Sequence, residues 1–489
     1  MPADPQGGAP RGIIVAAPAS GSGKTLVTLA LLRRLARDGV AVAGAKAGPD
    51  YIDPTFHAAA CGRPCRNLDV WAMRPATLAA TVDALGDNAD LIIAEGVMGL
   101  FDGIALPGRP DIGSTADLAA LTGWPVVLVV DAGRQAASAG ALLRGFATHR
   151  ADVPVAGVIF NRVGSQNHRD ALAAAAKLAV PDMAILGFVP RDAALALPER
   201  HLGLVPAGER AGLDGFLDRA ATIVGDALDL DALAALARPT TLAHPQPVIG
   251  RSNATKQSRS DADAGSGLLR FARNDGDRKQ ASSIPLLPLG QRIAVARDDA
   301  FVFAYDAVLD GWRAAGAEIV PFAPLADKAP DASADAVYLP GGWPELHAGA
   351  LAAATRFRDG LRAAAARGAT VYGECGGYMA LGEALTDADG TAHRMAGLLP
   401  LETSFAARRL QLGYREVVLP AAHPLGAAGT RFRGHEFHYA TVTREGAGQA
   451  LFRAASARGE DLGAAGLVAG TVAGSFVHLI DAHPNDLAA

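Results

Sequence analysis

Apolar runs of Val, Ile and Leu recur through residues 1–200, and they restrict the possible folds more than any other feature of the chain. The runs occupy residues 12–18, 40–46, 89–96, 125–133, 155–163 and 184–190. They lack alternation of polar and apolar residues, which is typical of strands covered on both faces. Ala/Leu/Arg-rich stretches such as TLVTLALLRRLARDG separate the runs. The pattern predicts a parallel α/β sheet flanked by helices.

The same rhythm returns in the C-terminal part of the chain, starting at Arg292 with RIAVARD, AEIVPFAPL, DAVYLPGG and ATVYGECGG. Before it, residues 239–290 are rich in Ser, Asp, Arg and Gly and show little periodicity. A segment of this kind cannot bury enough apolar surface to offset the entropy of ordering. We therefore predict two Rossmann-like parallel-sheet domains, 1–238 and 291–489, joined by a flexible linker over 239–290. A basic interaction arm is the alternative for that segment, and its aspartates disfavour it.

The charge balance and the cysteine count restrict the class of protein. The 489 residues include 45 Lys and Arg against 50 Asp and Glu, and a net charge of −5 indicates neither a nucleic-acid nor an anionic-membrane partner. No apolar run approaches the roughly 18–20 residues of a membrane span, and the N-terminal residues lack the pattern of a signal peptide. Three cysteines cannot form a disulfide framework and fit a reducing compartment. We expect a cytoplasmic protein, and whether it forms a homodimer is left open.

A glycine- and serine-rich turn follows the first predicted strand and leads into a predicted helix. Its residues are Ser20, Gly21, Ser22, Gly23, Lys24 and Thr25. In this context backbone N–H groups hold phosphates, the lysine reaches the β- and γ-phosphates, and the threonine hydroxyl ligates Mg²⁺. Pro18 stands where the usual motif begins with glycine. The turn predicts a P-loop that binds ATP and Mg²⁺, and a chance Gly/Ser loop is the alternative.

Four carboxylates follow predicted strands of the same domain. Glu95 ends the run ADLIIAEG and Asp102 comes shortly after it, while Asp50 and Asp53 lie in the loop KAGPDYIDPTFH. Because open α/β sheets bind ligands at the carboxyl ends of their strands, we expect these residues at a ligand site, with Glu95 as the acidic partner of Mg²⁺. A solvated strand end is the alternative for Glu95, and simple turn chemistry is the alternative for Asp50 and Asp53.

Cys61 and Cys65, in CGRPC, have the spacing of half a metal site. No second Cys/His pair follows at zinc spacing, so core packing or loop filling is favoured.

Cys375 lies in the turn GECGG between a predicted strand and a predicted helix. Glycines on both sides permit a tight backbone that leaves the sulfur exposed at its tip, as in a nucleophile elbow. A catalytic thiol needs a base and an oxyanion hole. His478 in the late strand GSFVHLID is the candidate base, and the amides near Gly342 in YLPGGWPE and Gly376 are candidate donors. GHEFHY adds two further histidines and a glutamate.

The motifs together resemble known families. The order YLPGGWPE, YGECGGYM, GHEFHY and SFVHL resembles a class I (triad-type) glutamine amidotransferase domain. SGSGKT, KAGPDYIDPTFH and EGVMGLFDG resemble the dethiobiotin-synthetase-like ATPases. Joined in this order, they are similar to the family of cobyrinic acid and hydrogenobyrinic acid a,c-diamide synthases over nearly the entire chain outside the linker.

The resemblance implies ATP-dependent amidation of two acetate side chains on a corrin-type tetrapyrrole in cobalamin biosynthesis, with glutamine as the nitrogen donor. It implies that Cys375 is the glutaminase nucleophile and that His478 raises its nucleophilicity. Lys24 and Thr25 would serve ATP and Mg²⁺. The residues implied at the ATP, metal or tetrapyrrole site are Glu95, Asp50, Asp53 and Asp102.

Three positions depart from the family pattern. Many triad amidotransferases carry an acid where this chain has Ile480, so the group that orients His478 is left open between a backbone group and Asp481. Trp343 replaces a common tyrosine in GGWPE. Ala304, in FVFAYDAVL, replaces a tyrosine of the family's FxFYY segment.

Two kinds of alternative remain at this level. Another tetrapyrrole amidase, such as cobyric acid synthase or the nickel-sirohydrochlorin enzyme, shares the architecture. A non-enzymatic partitioning-type ATPase switch with an inactive amidotransferase-like domain belongs to a different class, and an intact Cys375 and His478 disfavour it.

Overall fold

Two large β-sheets, one in each half of the chain, organise the fold. The computed structural model describes residues 9–87, 89–196, 212–242 and 284–484. The strands of the first half are β1 (Arg11–Ala16), β2 (Val42–Ala47), β3 (Arg66–Leu68), β4 (Leu91–Glu95), β5 (Ile104–Leu106), β6 (Arg109–Ile112), β7 (Val126–Asp131), β8 (Val155–Val163), β9 (Ala184–Pro190) and β10 (Arg238–Pro239). Those of the second half are β11 (Arg292–Ala296), β12 (Glu318–Phe322), β13 (Ala336–Leu339), β14 (Thr370–Glu374), β15 (Ala384–Thr386), β16 (Ala392–Arg394), β17 (Leu401–Ser404), β18 (Gln411–Val418), β19 (Arg431–His438), β20 (Thr441–Glu445), β21 (Gln449–Ser456), β22 (Asp461–Ala469), β23 (Val472–Ser475) and β24 (Val477–Ala482).

The α-helices lie mainly between the parallel strands. They are α1 (Lys24–Arg37), α2 (Asp53–Cys61), α3 (Pro75–Gly86), α4 (Thr115–Thr122), α5 (Ser138–Thr148), α6 (Gln166–Ala179), α7 (Leu213–Asp226), α8 (Leu230–Leu236), α9 (Asp306–Ala314), α10 (Ala348–Ala353), α11 (Thr355–Ala366) and α12 (Gly376–Leu381). Within the described ranges, no helix has both the length and the apolar character needed to cross a membrane.

The first sheet is parallel along its main path, and each of the six apolar runs forms one of its strands. The strand order is β3-β2-β4-β1-β7-β8-β9, and β10 adds antiparallel to β1. β1 lies between β4 and β7. The turn after β1 is therefore at the carboxyl end of a central strand, where ligands of open α/β sheets bind. The parallel α/β sheet predicted for this half is confirmed.

The second sheet departs from the predicted parallel arrangement in about half of its strands. Its order is β12-β11-β13-β14-β23-β22-β21-β18-β19-β24, parallel from β12 to β23 and antiparallel beyond. Residues 470–471 alone connect β22 to β23. A parallel crossover needs about a dozen residues or more, so these strands can pair only as a hairpin. The second domain is thus a mixed α/β structure.

The curl of the second sheet brings two distant strands together. Phe476 alone separates β23 from β24, although these strands lie far apart in the strand order. β23 pairs with β14, which is followed by Cys375, while β24 carries His478. The two predicted catalytic residues of this domain therefore approach each other because the sheet returns on itself.

A loop of the first domain, residues 69–74, docks on the second domain. Arg74 donates to the Asp481 carboxylate through its backbone N–H at 2.7 Å and through Nε at 2.8 Å, and both side chains are buried. Asp69 accepts a hydrogen bond from the Tyr414 hydroxyl at 2.8 Å. One apolar cluster includes buried residues of both halves, Trp71 among them. The two domains therefore share a buried interface.

The predicted linker is described only at its two ends. Residues 239–242 follow the first domain, where the Thr240 N–H donates to the Pro10 carbonyl at 2.8 Å. Residues 284–290 pack on the second domain, with Leu286 and Leu289 buried. Residues 243–283, most of the predicted linker, lie outside the described residues. The domain boundaries stay a prediction.

We expect Arg74→Ala to lower the free energy of unfolding by about 3–5 kcal/mol, because it leaves the Asp481 carboxylate buried without its charged partner. Urea denaturation, followed with a spectroscopic probe in each domain, measures this loss. The matched control is Arg33→Ala, which breaks a partly exposed pair with Asp218 and should cost no more than about 1 kcal/mol. An equal loss of unfolding free energy in both variants would show that the interdomain pair stabilises the protein no more than a partly exposed pair does.

Candidate active sites

The glycine- and serine-rich turn joins β1 to α1, as predicted. Gly21 and Gly23 adopt left-handed backbone conformations, with φ of 81° and 93°. An added Cβ at Gly23 would lie 2.1 Å from Nδ2 of Asn161, and that amide donates to the Ser22 carbonyl at 2.9 Å. Asn161 braces the turn, and the sequence analysis did not identify it. The brace holds the N-terminus of α1 where helix N–H groups bind phosphate.

Lys24 and Thr25, the first two residues of α1, approach Glu95 at the end of β4. The Thr25 hydroxyl donates to Oε1 of Glu95 at 2.6 Å, and Nζ of Lys24 lies 3.7 Å from the same oxygen. β1 and β4 are adjacent and parallel, so their carboxyl ends lie side by side. The structure therefore brings these three predicted residues together.

Glu95 has two further buried partners that the sequence analysis missed. Nζ of Lys46 lies 3.0 Å from Oε1 of Glu95 and 2.5 Å from Oδ2 of Asp53. Nε2 of His57 lies 2.6 Å from Oε2 of Glu95. Lys46 is opposite Glu95 in the register of β2 and β4, and no local motif reveals that pairing. Asp53 thus reaches the site through Lys46.

The buried charges of this cluster stabilise one another. Burial alone would lower the pKa of Lys46, but the charges of Glu95 and Asp53 outweigh it and raise that pKa above its ordinary value. Burial alone would raise the pKa of Glu95, and the Lys46 charge together with the His57 hydrogen bond lowers it below its ordinary value. Lys46 is therefore an ammonium and Glu95 a carboxylate at neutral pH. Burial lowers the pKa of Lys24.

Asp50 and Asp102, predicted at the same site, have local structural partners. Oδ1 of Asp50 accepts from the N–H groups of Ile52 and Asp53, at 2.7 and 3.1 Å, and so caps the start of α2. Oδ2 of Asp102 accepts from the Gly99 N–H at 2.8 Å, which folds the loop after β4. Turn chemistry, the alternative for the loop of Asp50, therefore explains the hydrogen bonds of Asp50, and a turn likewise explains that of Asp102.

The donors at the P-loop fit a magnesium ion that arrives with a nucleotide. Mg²⁺ in such sites takes one or two protein oxygens and completes its shell with phosphates and waters. The Thr25 hydroxyl and the Glu95 carboxylate are oxygen donors already in contact. In the part of the chain that the structure describes, no group of three His, Cys, Asp or Glu residues could hold a metal ion. The protein alone therefore does not form a closed metal cage there.

Cys375 lies in the strand-to-helix turn between β14 and α12, with φ 47° and ψ −104°. This is a strained conformation for a residue other than glycine, and such strain occurs at functional sites. The Cys375 N–H donates to the Ser475 carbonyl at 2.8 Å, which fixes the turn to β23. The sequence prediction of an exposed sulfur is wrong. Cys375 is 3% exposed, and its thiol faces the Phe437 carbonyl at 3.7 Å, because β19 of the second sheet covers the elbow.

Glycines around the elbow allow contacts that side chains would block. A Cβ on Gly376 would lie 2.9 Å from the Gly342 nitrogen, so the two predicted oxyanion-hole residues are neighbours. A Cβ on Gly341 would lie 2.2 Å from Cε1 of His478. A Cβ on Gly377 would lie 2.0 Å from the Leu339 carbonyl. The PGG and CGG motifs therefore pack directly against each other.

His478 is fully buried and lacks an acidic partner. Neither ring nitrogen has a hydrogen-bond partner of normal geometry among the described residues. Burial lowers the pKa of His478 well below its ordinary value, and His435 and His438 lower it further. Asp481, one of the two groups left open to orient this ring, is instead bound by Arg74. His478 is thus a neutral base at physiological pH.

Glu374, immediately before Cys375, ties the elbow to β24, the strand that carries His478. Its carboxylate accepts from the hydroxyls of Tyr338 and Tyr372, at 2.8 and 3.0 Å, and from the Leu479 N–H at 3.1 Å. Burial raises the pKa of Glu374 to about 7, against these hydrogen bonds. The sequence analysis did not identify this residue, although it is visible in GECGG. Its bond to Leu479 fixes the backbone directly after His478.

Comparison with known proteins identifies both halves. The CobQ/CobB/MinD/ParA nucleotide binding domain family matches residues 13–205, and the CobB/CobQ-like glutamine amidotransferase domain family matches residues 292–485. A hydrogenobyrinate a,c-diamide synthase from Sinorhizobium sp. is 52% identical over 476 residues, covering 96% of this chain and 98% of that protein. The synthases from Brucella anthropi and Rhizobium meliloti are 52% and 51% identical, each over 96% of this chain and 98% and 99% of their own lengths.

The chain belongs to the hydrogenobyrinate a,c-diamide synthase family.

This membership confirms the family resemblance and the fold class predicted from the sequence, a P-loop domain followed by a class I glutamine amidotransferase domain. It contradicts the non-enzymatic ATPase switch, because the matching relatives are synthases over nearly their whole length. The chain is a glutamine-dependent amide ligase.

In this family member a second carboxylate lies near the thiol. Burial raises the pKa of Cys375, and the charge of Glu345, in the PGGWPE motif, raises it further. Burial raises the pKa of Glu345 itself to about 7. The resting sulfur is therefore a thiol and the His478 ring a neutral imidazole, and the two do not form a preformed thiolate–imidazolium pair.

The histidines of GHEFHY differ in their surroundings. His435 is opposite His478 in the register of β19 and β24. Nε2 of His438 lies 2.9 Å from Oε1 of Glu436, whose other oxygen accepts from Nε of Arg415 at 2.7 Å. His435 therefore belongs to the surroundings of the catalytic histidine, whereas His438 is held in a salt-bridged network.

The cysteine pair of the first domain has a structural explanation. All three cysteines of the chain are free. Sγ of Cys65 lies 3.4 Å from Nδ1 of His57, the ring that also contacts Glu95. Cys61 is buried in the apolar cluster under α2. Packing, which the sequence favoured over a metal site, explains both positions.

A cavity of about 580 Å³ lies between the two domains of this synthase-family chain. On one side it is lined by α2 and the loop that follows, and on the other by residues 295–297 and 301–307. Its walls combine aromatic rings, including Phe303 and Tyr305, with four arginines against one aspartate; these charged residues are Arg63, Arg66, Arg297, Arg313 and Asp306. Two of the arginines, Arg66 and Arg313, pair with Asp310 outside the cavity.

Proposed function

We propose that this chain catalyses the ATP- and glutamine-dependent amidation of the a and c acetate carboxylates of hydrogenobyrinic acid. The observation that carries the proposal is the 52% identity to named hydrogenobyrinate a,c-diamide synthases over 96% of the chain. The two sites described above supply the two half-reactions that such an amidation needs.

The chemistry requires both sites. A carboxylate is a poor electrophile, and transfer of the γ-phosphoryl group of ATP converts it to an acyl phosphate. Ammonia then attacks the acyl carbon and phosphate leaves. Free ammonia is scarce at neutral pH, so a glutaminase that releases it inside the same protein supports the reaction.

In the first domain we assign phosphate binding to the P-loop residues Ser20, Gly21, Ser22, Gly23, Lys24 and Thr25. Lys24 would neutralise charge on the transferring group, as lysines of P-loops do. When bound, Mg²⁺ would neutralise phosphate charge, held on the protein side by Thr25 and Glu95. Lys46 and His57 act indirectly, since both hold the Glu95 carboxylate in a fixed orientation.

In the second domain we assign glutamine hydrolysis to Cys375 and His478. The sulfur attacks the side-chain carboxamide carbon of glutamine while His478 takes the thiol proton. The N–H groups of Gly342 and Gly376 stabilise the resulting oxyanion. His478 returns the proton to the leaving nitrogen, ammonia departs, and water then hydrolyses the thioester to glutamate.

The interdomain cavity is the best candidate for the macrocycle site. A tetrapyrrole with acetate side chains presents a large apolar face and several carboxylates, which suit aromatic walls and arginines. The cavity wall also includes Tyr51, Pro54 and Thr55, the neighbours in sequence of Asp53. A carboxylate of a ligand in this cavity would therefore point toward the loop that borders the phosphate site.

The experiment for the function is mass spectrometry of products after incubation with hydrogenobyrinic acid, ATP, Mg²⁺ and glutamine. We expect two successive products, each with one carboxyl OH replaced by NH₂. Cobyrinic acid in a parallel reaction tests whether the enzyme also accepts the cobalt-containing ring. Formation of neither amide with glutamine or with ammonium would contradict the proposed function.

The cavity assignment makes a separate prediction. Ala304→Trp should raise KM for the macrocycle by at least about tenfold, the equivalent of about 1.4 kcal/mol, because the new ring fills part of the cavity. Glutamine hydrolysis measured without macrocycle should stay at the wild-type level. The control is Leu178→Trp, an exposed position on α6 outside the cavity. An unchanged KM in Ala304→Trp would place the macrocycle elsewhere.

We further propose a cytoplasmic location, since the three cysteines are unpaired as expected in a reducing compartment.

A further inference from the structure

One residue of the first domain lies inside the glutaminase site of the second. Tyr51, in the loop after β2, has its ring centre 4.5 Å from that of His478. Its ring also stacks on that of Phe303, with ring centres 5.1 Å apart. The Tyr51 ring centre lies 4.9 Å from that of Tyr305 and 6.3 Å from that of His435. The catalytic histidine is therefore covered by a side chain from the domain that uses ATP.

Polar atoms of this ring cluster are buried without partners. Nδ1 of His435 and both ring nitrogens of His478 have no hydrogen-bond partner of normal geometry among the described residues, and the Tyr51 hydroxyl beside them faces that of Tyr305. Leaving a buried donor or acceptor unsatisfied costs about 1–3 kcal/mol, so such groups in a folded protein usually serve a ligand or a functional role. A small molecule with both donors and acceptors would satisfy them. The carboxamide of glutamine and the ammonia that leaves it have this chemistry.

The Tyr51 hydroxyl has the character needed for such a contact. Burial raises its pKa well above the ordinary value, and the neighbouring Tyr305 hydroxyl and Glu374 carboxylate raise it further. The group therefore stays a neutral phenol, which both donates and accepts hydrogen bonds.

Tyr51 is also linked to the phosphate site through neighbouring residues of its own loop. Asp50 caps the start of α2, and Asp53, two residues after Tyr51, pairs with Lys46 beside Glu95. Pro49 is held from the second domain by the Tyr305 hydroxyl, which donates to its carbonyl at 3.2 Å. Residues 49–53 therefore connect a side chain at the glutaminase site with a carboxylate at the phosphate site.

On this basis, and resting on the proposed function, we propose that Tyr51 couples the two sites. Its hydroxyl receives the ammonia released at His478, and its ring lets glutamine hydrolysis respond to ligands at the phosphate site. Tyr51 is a positioning residue for the glutaminase reaction and a contact residue for ammonia.

The test compares amide formed with glutamate formed. Tyr51→Phe keeps the ring that lines the macrocycle cavity and loses the hydroxyl, so in reactions with glutamine the ratio of amide to glutamate should fall by about fivefold or more. Tyr51→Ala should in addition remove the stimulation of glutamine hydrolysis by ATP and macrocycle. Thermal unfolding checks that both variants fold.

The matched control is Tyr414→Phe, which removes another interdomain tyrosine hydroxyl, the one bonded to Asp69. It should lower stability and leave the ratio of amide to glutamate unchanged. A wild-type ratio in Tyr51→Phe would overturn the proposal. Failure of the proposed function is distinguishable, because the wild-type enzyme itself would then make no amide from either nitrogen source.

Discussion

Cys375→Ser should lower glutamine-dependent amidation by at least about 10⁴-fold, in the range seen when catalytic nucleophiles are removed. Serine is nearly isosteric with cysteine, so the strained turn should persist. Its hydroxyl has a far higher pKa than a thiol, and the neutral His478 without an acidic partner cannot activate it. The same variant supplied with concentrated ammonium at alkaline pH should still make the diamide from ATP. Product analysis with each nitrogen source measures this contrast.

The control for this variant is Cys61→Ser, which changes a thiol buried in the first domain. It should retain glutamine-dependent amidation, because Cys61 contacts neither catalytic site. His478→Ala should repeat the contrast of Cys375→Ser, since it removes the base and leaves the first domain intact. If folded Cys375→Ser failed with both nitrogen sources, the cysteine would belong to the synthetase chemistry and the division between two sites would be wrong.

The parts of the fold that depend on local pattern are those the sequence predicts well. Buried parallel strands are continuous apolar runs, and all six such runs of the first half are strands. The turn at Gly23 and the elbow at Cys375 are short motifs in which the backbone conformation or a close backbone approach requires glycine. These features follow from neighbouring residues, so one sequence reveals them.

Features that depend on strand order are less visible in the sequence. Lys46 meets Glu95 because β2 lies beside β4, and Asn161 braces the P-loop because β8 is in the same sheet. His57 and Glu374 are visible in motifs, but their partners lie far along the chain. The antiparallel half of the second sheet was missed because its strands are only partly buried and therefore lack the continuous apolar runs of the parallel half.

The interface between domains is the least visible of all. The sequence left Asp481 as a candidate partner of His478, but Arg74 of the other domain donates a hydrogen bond to its carboxylate. Cys375 is buried and not exposed, and Tyr51 covers its histidine from the first domain. No single-domain pattern carries information about such contacts. They decide how the two half-reactions are joined.

Lys24→Ala should lower amidation with both glutamine and ammonium by at least about 10²–10³-fold, because it removes one preorganised charge from the phosphoryl-transfer site. Glutamine hydrolysis at the second site should continue, since Lys24 contacts neither Cys375 nor His478. Lys24 approaches Glu95 at 3.7 Å and its loss leaves that carboxylate paired with Lys46 and His57, so the fold should hold. Steady-state rates with each nitrogen source, with glutamate release in parallel, measure the effect.

Glu95→Gln tests the same site from the acidic side, and its effect on folding needs a separate measurement. Unlike a solvated strand end, Glu95 is fully buried and accepts from Thr25, Lys46 and His57, so the neutral amide will weaken a charged network. Asp53 still pairs with Lys46 in this variant, which limits the loss of stability. We expect amidation with either nitrogen source to fall as in Lys24→Ala, together with a weaker dependence of the residual rate on Mg²⁺ concentration. A folded Glu95→Gln enzyme with wild-type turnover on ammonium would show that this carboxylate holds the cluster together and does not serve the metal.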